Sequence, residues 1–80
     1  MSEHEQREVR IHIDRKPFNS PEETTHAALY ALGAIPAGYE LFMEVQGDRE
    51  DLPIPNDAGI IHLREDQHFY SAQVTLNPGR

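Results

Sequence analysis

The sequence has no cysteine, no tryptophan and a single lysine. Without cysteine, disulfides and thiolate metal sites are excluded. The longest apolar stretch, Ala27 to Leu32, falls far short of the roughly 20 residues a membrane span needs. The opening Met1-Ser2-Glu3-His4-Glu5-Gln6-Arg7 has no basic start and no apolar run, so no secretory signal is expected. Basic side chains are scarce. Six Arg and one Lys face nine Glu and five Asp, leaving a net charge of −7 with His neutral. A nucleic-acid binder carries a basic face, and an anionic membrane attracts one. Neither nucleic acid nor membrane is therefore expected as a partner. The five glycines, at 33, 38, 47, 59 and 79, are too scattered to make a phosphate-cradling loop.

What is present is enough for one small domain. Eighty residues make a thin core, worth roughly 3–5 kcal/mol of net stability. The expectation is a small, acidic, soluble, cytoplasmic protein. Its predicted organisation is a flexible lead at 1–7, a folded domain at 8–74 and a flexible tail at 75–80.

Val9, Ile11 and Ile13 alternate with Arg10, His12 and Asp14, the period of a half-buried strand. Asp14-Arg15 reads as a turn. Lys16-Pro17-Phe18-Asn19 reads as a second strand, at an edge or irregular, because Pro17 cannot donate to a ladder. Ser20-Pro21-Glu22-Glu23 carries the strongest local signal. Ser20 is the expected helix N-cap, Pro21 suits the first helical position, and Glu23 completes a capping box. The helix is predicted to run to Leu32, with Thr25, Ala28, Leu29 and Leu32 on one face. Gly33 is the expected left-handed residue after it, and Pro36 prevents resumption.

A third strand is bracketed by Tyr39 and Val45, with Tyr39, Leu41, Met43 and Val45 sharing a face and Phe42 opposite them. A charged turn, Gly47 to Asp51, follows. Leu52-Pro53-Ile54-Pro55 is a short extended piece that two prolines bar from a central position. Asn56 to Gly59 is another turn. Ile60 to Leu63 is apolar but short. His68 to Val74 is the last strand, and its buried face is open between Phe69, Ser71, Gln73 and Tyr70, Ala72, Val74. A hairpin followed by one helix must bury that helix on one face of the sheet. The expected fold class is α+β, a small mixed sheet packed on a single helix.

Chemistry-bearing patterns are sparse. His4, His12, His26, His62 and His68 show no HxxxH spacing, so scattered surface histidines are expected rather than a metal site. Ser20 is assigned to capping, and Ser71 has no nucleophile signature around it. No catalytic residue, metal or cofactor is predicted. Phe42 stands out as a candidate partner surface because it opposes the apolar stripe of its strand. The tail Leu76-Asn77-Pro78-Gly79-Arg80 is the second candidate. A glycine near a C-terminus passes a narrow enzyme channel and lets its backbone approach a reactive centre.

The order of elements, with the last strand feeding a glycine-bearing tail, resembles the β-grasp fold of ubiquitin. More specifically, the chain resembles the bacterial multiubiquitin-domain family over residues 8–74. The stretches that carry the resemblance are Val9 to Phe18, Leu29 to Pro36 and Tyr39-Glu40-Leu41. They continue with Ile54-Pro55-Asn56-Asp57, Ile61-His62-Leu63 and His68-Phe69-Tyr70. The resemblance implies central, parallel first and last strands. It also implies a ubiquitin-like modifier of a bacterial conjugation system, some of which act in phage defence. Its implied partners are activating and conjugating enzymes, a deconjugating peptidase and target proteins.

On that reading Gly79 becomes the reactive end once Arg80 is removed, with Leu76, Asn77 and Pro78 leading to it. The alternatives are that Arg80 itself carries the chemistry or that the domain does not conjugate. Lys16, the only side-chain amine, is the candidate acceptor for chains. The protein itself would catalyse nothing. The alternative function is a non-conjugated β-grasp interaction module or adaptor. Sulfur carriage on a C-terminal thiocarboxylate is a lesser one.

Overall fold

Alternating burial along the strands organises the molecule. The computed structural model describes residues 7–47 and 50–74. The elements are β1 (Glu8–Ile13), β2 (Lys16–Pro21), β3 (Glu23–Thr25), α1 (His26–Leu32), β4 (Tyr39–Met43), β5 (Leu52–Ile54), β6 (Ile60–His62) and β7 (His68–Gln73). Five strands form one mixed sheet in the order β2-β1-β7-β4-β5, and β3 pairs with β6 in a separate two-stranded ribbon. β1 and β7 are adjacent and parallel, while β4 is antiparallel to β7. The fold class is thus α+β, a mixed sheet with one helix. Of the predicted lead, only Arg7 is described. The predicted tail lies outside the described residues, as do Asp48 and Arg49.

Ile11, Ile13, Leu41, Ile54 and Phe69 point to one side of the sheet and meet Leu29 and Tyr30 of α1 and Leu63. Phe69 therefore defines the buried face of β7. Prolines occupy both edges of the sheet, Pro17 and Pro21 on β2 and Pro53 on β5. An edge strand tolerates them because its outward positions have no ladder bond to lose.

The hairpin between β1 and β2 closes through Asp14 and Arg15, both at positive φ (53° and 71°), as a type I′ turn requires. Asp14 also ties this turn to β7. Its carboxylate accepts the Ser71 amide at 2.8 Å and the Ser71 hydroxyl at 2.7 Å. The side chain thus continues the β1–β7 pairing beyond the point where β1 turns away.

The helix starts later than predicted. Ser20 is buried in β2, and its hydroxyl donates to the Pro21 carbonyl at 2.9 Å instead of capping. The edge position of β2 accommodates Pro21, so the strand runs two residues past Asn19. The backbone then stays in sheet pairing. The Glu22 amide donates to Arg7, its carbonyl accepts from Leu63, and Glu23–Thr25 pair with β6. Thr25 is the N-cap, and its hydroxyl accepts the Ala28 amide at 3.1 Å. Carbonyls of the 57–59 loop satisfy two more free amides, His26 on Gly59 and Ala27 on Asp57.

The buried helix face is also rotated from the predicted one. Leu29 is buried and Leu32 partly so, but Ala28 is exposed and Tyr30 is buried in its place. At the C-terminus Gly33 has φ −85°, and the left-handed residue is Ala34 at 54°. Ile35 donates to the Tyr30 carbonyl and Ala34 to that of Ala31, the paired bonds of a Schellman motif. Gly33 is needed for a different reason. A Cβ there would lie 2.9 Å from Ile13 Cγ2, so glycine is what lets the helix end approach β1.

β4 ends at Met43, two residues short of prediction, because the Val45 amide turns to the Asp51 carboxylate at 3.0 Å.

Candidate functional site

The sheet face away from the helix gathers most of the chemistry-bearing side chains. The alternation that sends Ile11, Ile13, Leu41 and Phe69 inward sends His12, Phe42, His68 and Tyr70 outward. Register then pairs them. His12 lies opposite His68 in the parallel ladder, and Phe42 opposite Tyr70 in the antiparallel one. The imidazoles stack with centroids 4.5 Å apart and planes 10° from parallel. The Phe42 and Tyr70 rings stack at 5.4 Å and 15°. Pro17 pairs with His12 at one end of this array, and Pro53 with Phe42 at the other.

Tyr70 is held at its far end. Its hydroxyl donates to Asp51 Oδ2 at 2.7 Å, and the other oxygen of Asp51 takes the Val45 amide. These bonds, that of Tyr70 first, hold the Asp51 carboxyl below its usual range. The carboxylate in turn pushes the Tyr70 phenol up. The ring pair is thereby oriented from the loop before β5. Phe42, singled out from the sequence, is half-buried by this stack. Tyr70 and the two histidines were not legible as its neighbours, because cross-strand register decides them.

The remaining histidines lie elsewhere. His26 meets Asp57 with Nδ1 2.6 Å from Oδ1, so this nitrogen carries the proton it donates. That bond, followed by one from the Gly59 amide, lowers the Asp57 carboxyl. A side chain at Gly59 would collide with the His26 ring, its Cβ 2.9 Å from Cε1. His62 faces Glu23 across the ribbon at 3.8 Å. His4 lies outside the described residues. Among the described residues no three His, Asp or Glu side chains converge to hold a metal ion.

Lys16 opens β2 as an exposed residue, directly after the hairpin turn. The chain leaves the sheet at Val74, whose amide donates to the Gly38 carbonyl at 2.9 Å. Leu76, Asn77, Pro78, Gly79 and Arg80 lie outside the described residues. No helix among the described residues is long and apolar enough to cross a membrane. No protein-family model, curated protein or solved structure matches this chain.

Proposed function

We propose that the chain is a ubiquitin-like modifier with a β-grasp fold, joined to other proteins through the carboxylate of Gly79. The observation that supports this reading most is the topology. The first and last strands are neighbours and parallel, the helix packs on one face, and β7 leads directly to the glycine-bearing segment. Hydrolysis of the peptide bond after Gly79 exposes a glycine carboxylate. That carboxylate attacks ATP, releasing pyrophosphate and forming an acyl-adenylate. An enzyme thiolate displaces AMP, and a target amine displaces the thiolate, leaving an amide bond. Each step occurs on a partner enzyme. The modifier contributes an unhindered acyl carbon and a surface that those enzymes recognise. Chains built through side-chain amines use Lys16, which the hairpin turn presents to solvent.

The test is intact mass after incubation with ATP and the enzymes encoded by neighbouring genes, beside a variant lacking Gly79. Loss of the residue after Gly79, or an adduct that requires Gly79, is the expected outcome. An unchanged mass with demonstrably active enzymes rejects conjugation.

The Phe42–Tyr70 stack favours a second reading, a β-grasp interaction module that is never attached. An aromatic pair left on the open face, with one hydroxyl tied by Asp51, is pre-oriented for contact. On this reading Phe42→Ala abolishes partner capture, whereas loss of Gly79 leaves it intact.

A further inference from the structure

We propose that His12 and His68 form a site for one divalent late transition-metal ion, of the class of Zn²⁺, Ni²⁺ or Cu²⁺, held between the two imidazoles. The proposal stands whether or not the chain is conjugated. It rests on where register places the rings. His12 and His68 occupy facing positions of the parallel β1–β7 ladder, and their imidazoles lie 10° from parallel with centroids 4.5 Å apart. Imidazole is the commonest side-chain ligand for ions of this class. A zinc–nitrogen bond is about 2.0–2.1 Å, so two nitrogens on one ion stand about 3–4 Å apart, depending on the bond angle. A small tilt of one ring bridges the difference from the spacing of the stack.

The backbone beneath the rings is fixed. The His12 amide donates to the Gln67 carbonyl at 2.9 Å, and the Asp14 amide to that of Phe69 at 3.0 Å. The tilt therefore comes from the side chains. His68 is exposed, and the ring torsion of histidine is broad. Two protein nitrogens with water in the remaining positions make the site, so no third converging side chain is required. Asp66 Oδ1 lies 3.8 Å from His12 Nε2. There it can accept from a metal-bound water, as carboxylates beside metal ligands do.

Charge and donor type select the ion. Glu44, Glu65 and Asp66 adjoin His68 on one side, and Asp14 does so on the other. Arg64 and Arg15 offset them only in part. Mg²⁺ and Ca²⁺ seek oxygen ligands, whereas a pair of imidazoles favours the later transition ions. The consequence is structural. The facing pairs of β1 and β7, His12 with His68 and Ile13 with Phe69, join residues 56 positions apart. An ion clamped across the first pair closes that long loop and binds only where the strands are paired, so it opposes unfolding.

The experiment adds Zn²⁺ or Mg²⁺, as chlorides, to the full chain. Binding is followed by calorimetry and by NMR of the imidazole ring nuclei, and stability by thermal unfolding. The tightest Zn²⁺ event should take one ion per chain, shift the His12 and His68 ring signals together and raise Tm. His12→Gln and His68→Gln should each weaken that event by at least about tenfold, the lesser end of what losing a supporting contact costs a metal site. Each should also remove the rise in Tm. Both side chains lie outside the core, so a dispersed amide spectrum is expected for each variant. His62→Gln, at an exposed ring on the ribbon, should leave binding unchanged. Mg²⁺ should leave the ring signals in place. Zn²⁺ affinity that survives removal of either imidazole, or Mg²⁺ shifts as large as those of Zn²⁺, overturns the proposal.

Discussion

Gly33 and Ile13 meet where the end of α1 crosses β1, and a Cβ on Gly33 would stand 2.9 Å from the Cγ2 of Ile13. Ile13 is 1% exposed and belongs to the buried core, where packing is close. Gly33→Ala should therefore destabilise the fold by about 1–3 kcal/mol, as overpacking does. The neighbouring position should behave oppositely. Ala34 pays for a left-handed φ of 54° that glycine adopts freely, so Ala34→Gly should stabilise by up to about 1 kcal/mol. Chemical denaturation of both variants checks the pair. A neutral Gly33→Ala would mean that the helix end does not pack this closely.

Tyr30 links the helix to the sheet edge. Its buried hydroxyl accepts the Leu41 amide at 2.9 Å and donates to the Ile54 carbonyl at 2.6 Å. It thus bridges facing residues of β4 and β5. Tyr30→Phe removes one oxygen and strands two buried backbone groups. The expected cost is about 1–3 kcal/mol, the desolvation penalty of unmade hydrogen bonds. Amide exchange should report it locally, with protection lost first at Leu41. Unchanged protection there would show that β4 and β5 close without the hydroxyl.

Thr25, and not Ser20, should control the start of the helix. Thr25→Ala removes the acceptor for the Ala28 amide and should cost about 0.5–2 kcal/mol. Amide exchange at Ala28 should rise with it. Ser20→Ala should leave Ala28 protection unchanged, since that hydroxyl serves the Pro21 carbonyl. The reverse pattern would place the cap at Ser20.

Two carboxylates should shape the acid limb of stability. Hydrogen bonds, from Tyr70 first on Asp51 and from His26 first on Asp57, lower both carboxyls from their ordinary value of 3.8. A group with a depressed folded pKa contributes stability above its unfolded value and loses it as pH falls through the folded one. The loss therefore begins near pH 4 and continues downward. Asp57→Asn and Asp51→Asn should each flatten the acid limb of a stability-against-pH curve. At the alkaline end the sign reverses. Tyr70 is raised above 10.0, so its contribution is complete below that value and disappears as pH climbs through the folded one. Ultraviolet absorbance should show Tyr70 ionising at higher pH in the wild type than in Asp51→Asn. Identical curves would mean that the Tyr70–Asp51 bond does not form.

Local pattern by itself determined a good part of this protein. The alternation of Val9, Ile11 and Ile13 set β1 and its buried side. Pro17 pointed to an edge or irregular strand, and Pro53 with Pro55 barred Leu52–Pro55 from a central position, because a central ladder does not tolerate a missing N–H. The helix end at Leu32, the exceptional side of Phe42 and the single helix of an α+β domain were all legible. These features depend on a residue and its close neighbours along the chain.

Tertiary structure decided the rest. Ser20-Pro21-Glu22-Glu23 has every local mark of a helix start, yet pairing with Arg7, β6 and Leu63 holds that backbone extended through Thr25. Gly33 looked like a left-handed cap and is instead a point of close approach to a residue 20 positions earlier. The His12–His68 and Phe42–Tyr70 stacks exist only because strands far apart in sequence pair in one particular register. A slip of one residue would send each of those rings to the opposite face. Long-range hydrogen bonds and packing set that register, and no short window of sequence contains them.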